Sequence, residues 1–125
     1  MAVEIPGFKL GTLLAAADVA DSQHRFAALD GGVVLADAGL FSVGVIENIA
    51  LTEGNPVEIT VSGVAKVVCG GSGSGTVTAE ALVASDANGA AVDATSTDYA
   101  LGVALEGGDE DQIISVLLIS PHVVA

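Results

Sequence analysis

The chain has 125 residues, 16 of them acidic against only Lys9, Arg25 and Lys66, for a formal net charge of −13. Binding to phosphate backbones and to anionic lipid rests on lysine and arginine, so this balance excludes nucleic acid and anionic membranes as partners. The length suits one domain, and with aromatics at 3% the core must be built from Val, Ile, Leu and Ala, which fit a pleated sheet better than a helix bundle.

Residues 1–17 read as an extended N-terminal arm, followed by a single β domain over 18–125. Val3, Ile5, Phe8 and Leu10 alternate loosely around Pro6-Gly7, and Thr12 is placed to cap at most a short helical turn near residues 12–20. Two readings stand for this stretch: a terminal strand docked on its own domain, or an arm whose four apolar side chains anchor it to a neighbouring molecule. His24 to Leu29 then reads as a strand with Phe26 and Ala28 on one face, Asp30-Gly31-Gly32 as a hairpin turn, and Val33 to Leu35 as the return. After the turn at Asp37-Ala38-Gly39, Phe41 to Val45 forms a strand and Glu47 to Pro56 a polar loop. Val57, Ile59 and Val61 alternate with Glu58 and Thr60, the pattern of a half-buried strand. Gly63 marks a bend, and Val64 to Cys69 continues as a strand with Lys66 in its middle. Gly70 to Gly75 is a flexible loop, and Thr76 to Ser85 holds one or two short strands. Asn88-Gly89 is the strongest hairpin signal in the chain, and Val92 lies on its return strand. Tyr99 to Val103 and Ile113 to Ile119 close the series, the last apolar on both faces, as for a strand covered on both sides.

Two of these passages echo each other. Phe41-Ser42-Val43-Gly44-Val45 with Val57 to Ser62 matches Tyr99-Ala100-Leu101-Gly102-Val103 with Ser115 to Ser120 at one ungapped offset of 58 residues. A repeated strand–loop–strand unit makes the expected fold an all-β one, a small barrel or sandwich.

No constellation carries catalytic chemistry, and the chain is expected not to be an enzyme, with no cofactor and no metal. Cys69 stands beside Val67 and Val68 in an alternating strand, which reads as a buried structural thiol. Neither His24 nor His122 has ligand spacing to it or to the other. The Gly-rich loop lacks the Lys-Ser or Lys-Thr of a phosphate-binding loop, since Thr76-Val77-Thr78 follows it. Gly108-Asp109-Glu110-Asp111 lacks the order of a calcium loop and reads as a solvated acidic turn. Lys66 raises the alternative of a small β-barrel carrier or ligand-binding domain, but a carrier lysine stands at a hairpin tip and Ala65-Lys66-Val67 is mid-strand. No secretory leader is visible and a lone cysteine forms no internal disulfide. A mean hydropathy of +0.69 without a spanning segment points to surface buried against partners.

The order of motifs resembles the capsid cement, or head decoration, proteins of tailed bacteriophages. The matching pieces are Asp18-Val19 through Gln23, the strand into Asp30, Gly44-Val45-Ile46-Glu47-Asn48, and Gly54 with the strand to Ser62-Gly63-Val64-Ala65-Lys66-Val67-Val68 and Gly70-Gly71. Ser85-Asp86-Ala87-Asn88-Gly89 with Ala91-Val92 follows, then Leu101-Gly102-Val103-Ala104-Leu105-Glu106, then Asp111 through Leu118. The likeness covers roughly residues 18–120. Asp111-Gln112 stands where the family's closing motif has Gly-Asp, and the extreme N-terminus matches nothing in the family. The resemblance implies a small β-barrel or sandwich without enzymatic activity, made in the bacterial host cytoplasm and attached to the outer capsid surface of the virion. The major capsid protein is then the partner and a homo-oligomer, a trimer favoured, the assembly. The arm, through Val3, Ile5, Phe8 and Leu10, is then expected to lie against the capsid or a neighbouring subunit.

Overall fold

The structure is a computed structural model and describes residues 5–6, 9–19, 21–47 and 52–125. Among these, every regular element is a strand: β1 (Ile5–Pro6), β2 (Lys9–Leu14), β3 (Phe26–Leu29), β4 (Val33–Leu35), β5 (Gly44–Ile46), β6 (Pro56–Thr60), β7 (Gly63–Val68), β8 (Leu82–Ser85), β9 (Ala91–Asp93), β10 (Tyr99–Ala104) and β11 (Ile113–Val123). They form two antiparallel sheets, β2-β6-β5-β3-β4 and β1-β7-β11-β10-β8-β9, in a sandwich-like arrangement with neither sheet closed into a barrel. The expected all-β fold is therefore present. Thr12 lies within β2 and caps no helical turn. Thr76 to Ser85 contributes one strand, β8, while Val77 makes only an isolated bridge to Gly108. β11 runs on through Pro121 to Val123, because a register shift in its ladder with β10 between Ala100 and Gly102 accommodates a residue that cannot donate.

The two sheets are copies of one topology. In each, the first strand pairs with the fifth, the fifth with the fourth, the fourth with the second and the second with the third: β2 to β6 in the first half of the chain, β7 to β11 in the second. The registers repeat as well. Ala27, Ala28 and Leu29 pair with Leu35, Val34 and Val33, as Val83, Ala84 and Ser85 pair with Asp93, Val92 and Ala91. Phe26 and Ala27 pair with Val45 and Gly44, as Leu82 and Val83 pair with Val103 and Gly102. A parallel bridge joins Ala15 to Val33 in one half and Cys69 to Ala91 in the other. Left-handed residues recur at matching places, His24 with Glu80, Gly39 with Thr97 and Gly54 with Asp111.

This duplication corrects the ungapped echo. Val45 and Ile46 pair with Thr60 and Ile59, whereas Val103 and Ala104 pair with Leu117 and Val116. The counterpart of Thr60 is thus Leu117 and not Leu118. The connection 47–55 is one residue longer than 105–112, so the last strand slips by one against the sequence match. A slip of one residue in a strand exchanges its two faces, so the true equivalence can be seen only in the ladder.

The core follows the duplication. One cluster lies wholly in the first half: Ala15, Ala27, Val33, Ile46, Val57 and Ile59. Their ladder equivalents, Cys69, Val83, Ala91, Ala104, Ile114 and Val116, all belong to the second cluster. That cluster also takes in Phe26, Ala36 and Val45 from the first half, so the halves are joined by shared apolar packing. Phe26 and Val45 can reach it because side chains alternate across a strand, which leaves Ala27 and Ile46 on the other face. The alternation read in the sequence holds in β6 for Val57 and Ile59, which are buried, and Glu58, which is exposed, but fails at Thr60, which is fully buried with its hydroxyl donating to Glu47 Oε1.

Of the two readings of the N-terminal stretch, Lys9–Leu14 takes that of a docked strand. Lys9 and Leu10 lie opposite Thr60 and Ile59, and Ile5 and Pro6 continue in the same register opposite Val64 and Gly63. This segment therefore pairs with the last strand of one half and the first strand of the other.

A candidate docking surface

The sequence-derived candidates do not converge on one site. Val3 and Phe8 lie outside the described residues. Ile5 enters the ladder with β7, and Leu10, 37% exposed, sits in the edge strand β2. Cys69 is buried, and burial, with Asp109 and Glu106 adding to it, pushes its thiol up to about 11, so the nucleophilic thiolate is disfavoured. His24 occupies a left-handed turn into β3, where its N–H donates to Ile46 O and its carbonyl accepts from Val68 N–H. Its Nδ1 is buried without a hydrogen-bond partner. Burial holds its pKa below the usual histidine value, with Glu47 opposing the shift and Lys66 adding to it. His122 lies exposed near the other end of the chain. Among the described residues, no three His, Cys, Asp or Glu side chains are grouped so as to hold a metal ion.

The Gly-rich loop and the acidic turn belong to each other. Gly75 N–H donates to Asp109 Oδ1 at 2.7 Å and Gly73 N–H to Glu110 Oε1 at 3.2 Å, while Glu110 N–H returns a bond to Gly73 O at 2.9 Å. The amides that a phosphate would use meet carboxylates of this chain, and those carboxylates order a loop. Lys66 sits mid-ladder opposite Ser115 and presents no hairpin tip.

A different surface is assembled by the fold. Leu29 at the end of β3, Val34 and Leu35 in β4, and Leu40, Phe41 and Val43 in the connection to β5 line an open groove of about 770 Å³, with Tyr99 at its far side. Leu29, Leu40 and Phe41 are 51%, 54% and 49% exposed, values that mark them as surface and not core. The Phe41 ring meets Tyr99 edge-on, with centroids 5.9 Å apart and planes at 84°, which fixes the groove wall. Among the described residues, the charged ones lining the groove are Asp30 and Asp37, with no Lys, Arg or His. Each large apolar side chain left in water forgoes roughly 1.5–3 kcal/mol of burial free energy, so three together form a surface that gains by being covered.

Sequence reasoning missed this groove because Phe41 opens an apolar passage that reads as a buried strand. The available signal was the Leu40-Phe41 pair directly after the Asp37-Ala38-Gly39 turn, where β5 has not yet begun. No protein-family model matches the chain, and comparison with curated proteins finds no significant relative.

Proposed function

We propose that this chain is a structural decoration protein that binds the outer surface of a tailed-bacteriophage head, through the major capsid protein, and stabilises the shell, acting as a homo-oligomer with a trimer favoured. The observation that carries this reading is the exposed apolar groove at Leu29, Leu40 and Phe41 on a strongly acidic all-β domain. A surface of that kind suits docking to a protein partner, and the charge repels nucleic acid. The ordered motifs over residues 18–120 add to it through their resemblance to cement proteins. The test is to mix the purified protein with shells lacking decoration, sediment them, and heat the product. Saturable co-sedimentation and a raised shell disruption temperature are expected, and native mass measurement of the free protein gives the oligomer. Protein that stays in the supernatant at every ratio refutes the proposal.

The volume and apolar lining of the groove favour a second reading, a small ligand-binding domain, because small-molecule sites span roughly 300–1,000 Å³. Displacement of an apolar fluorescent probe from the groove by free small molecules, in a protein that ignores shells, would select it.

A further inference from the structure

The duplication shows what covers this surface in the other half. There the positions of Ala28, Leu29 and Val43 are held by Ala84, Ser85 and Leu101, all three buried. A turn of the first half, closed by Leu40 N–H donating to Asp37 O, docks there: Gly39 N–H donates to Ser85 O at 2.9 Å, Tyr99 N–H donates to Gly39 O at 3.0 Å, and Phe41 packs on Tyr99. The segment that would cover the first half in the same way is the turn at 95–98. That turn is held elsewhere, since Thr97 N–H donates to Val124 O and Val124 N–H to Asp98 O, each at 2.8 Å. The groove is thus the uncovered copy of a surface that, in the other half, takes backbone hydrogen bonds from a docked turn followed by an aromatic side chain.

Charge decides whose segment it is. Asp30 and Asp37 stand at the groove with no cation lining it, and the chain has three basic residues in all. Of these, Arg25 is already engaged with Asp21 O and Asn88 O. A second copy seated in this groove has at most three basic residues to set against the two carboxylates and a large excess of acidic ones; like charges oppose association at this contact, whatever contacts copies make elsewhere. We propose that the groove receives an apolar loop or chain segment of a different protein, one that carries a lysine or arginine beside its aromatic or leucine anchor. Identifying that protein with the shell subunit rests on the function proposed above; the chemistry of the segment does not.

The probes are two capped octapeptides of glycine, leucine and phenylalanine that differ only in carrying two lysines or two glutamates, titrated into the full chain and followed by amide chemical shifts. The variant is Leu29→Ser combined with Leu40→Asn, which makes the two positions polar, as Ser85 and Asp98 are in the second half, without adding a charge that would itself attract lysine. Both leucines are exposed, so an unchanged amide spectrum away from the groove is expected to confirm the fold. The lysine peptide is expected to shift Leu29, Val34 and Phe41, to weaken as salt is raised, and to bind the double variant at least about tenfold less tightly. Equal binding of the glutamate peptide, no binding of the lysine peptide, or unchanged binding by the double variant overturns the proposal. So does wild-type self-association that the double variant abolishes, which would make a second copy the occupant. The shell assay separates the two readings. Protein that binds the lysine peptide but ignores shells removes the shell reading and leaves this one. Protein that decorates shells but ignores the peptide removes this one and leaves the other.

Discussion

Gly102→Ala tests the duplicated architecture at a position where no side chain fits. A Cβ added there would lie 2.5 Å from Val116 Cγ1 and 2.8 Å from Leu117 O. Carbon atoms rest about 3.5–4.0 Å apart, so β10 and β11 must separate by several tenths of an ångström or more, and part of that contact is backbone that cannot rotate away. Overpacking of this kind costs about 1–3 kcal/mol. The loss of unfolded-chain freedom on replacing glycine returns about 0.4–1 kcal/mol. A net destabilisation of about 1–2 kcal/mol follows, which for a chain of this length lowers Tm by roughly 3–10 °C. The same substitution at Gly11 in β2 meets nothing within 4 Å and is expected to be neutral within about 0.5 kcal/mol. Gly44, the ladder counterpart of Gly102, would press its Cβ on Thr60 O, the counterpart of Leu117, and its alanine variant should be destabilised as well. Thermal unfolding of the three variants decides the matter. If Gly102→Ala melts with Gly11→Ala, the close approach of the two strands is not a feature of the protein.

Deleting residues 2–17 removes β1, β2 and Ala15, and uncovers Val57 and Ile59; with whole domains stable by only about 5–15 kcal/mol, the truncated chain is expected to unfold, and a melting curve like that of the full chain would restore a free arm. Cys69 should react with a thiol reagent only as fast as the protein unfolds, and rapid labelling of the native state would contradict its burial. Because its folded pKa of about 11 lies above the ordinary 9.0, its contribution is intact below pH 9 and is lost as pH rises toward 11; a stability profile over that window that is as steep in Cys69→Ala as in the native chain would refute this. His24 has the opposite sign: its folded pKa is lowered from 6.5, so its contribution is present above that pH and lost as pH falls through the folded value. His24→Asn, which keeps a residue tolerant of the left-handed turn, should flatten the acid side of the stability curve, and an identical acid profile would show that the ring is not desolvated.

The strands were legible because alternation is local. Val57 and Ile59 against Glu58, and the Asn88-Gly89 turn between β8 and β9, need no knowledge of the rest of the chain. The duplication was only partly legible. Gly44 and Gly102 keep their identity because a Cβ is excluded at both, which is why that passage carried the echo. The remaining equivalent positions are bound by volume and not by identity. Ile46 is answered by Ala104 and Val33 by Ala91, while Ala27 is answered by Val83 and Ala15 by Cys69. Large and small exchange places between the clusters, and the second also takes in Phe26, Ala36 and Val45 from the first half, so each core is filled while residue-by-residue similarity is lost. The groove was illegible for a further reason. Whether Leu29 is core or surface depends on what lies over β3, and that is decided by residues far away in sequence.

The positions at which the two halves disagree in polarity bear on function more directly than those at which they agree. Leu29, Leu35 and Leu40 in the first half face Ser85, Asp93 and Asp98 in the second, at the same ladder and turn positions. The second half folds with polar side chains at all three, so the topology itself does not demand leucine there. In the first half, Leu29 and Leu40 stand about half exposed, where leucine gives the free chain little in return for its contact with water. All three leucines line the one groove; Leu29 and Leu40 belong to neither core cluster, while Leu35 also packs against the first-half cluster. A site that is polar in one copy and apolar and uncovered in the other is what the proposed contact surface rests on. The titration and sedimentation experiments test that reading, and a groove that takes neither peptide nor shell refutes it.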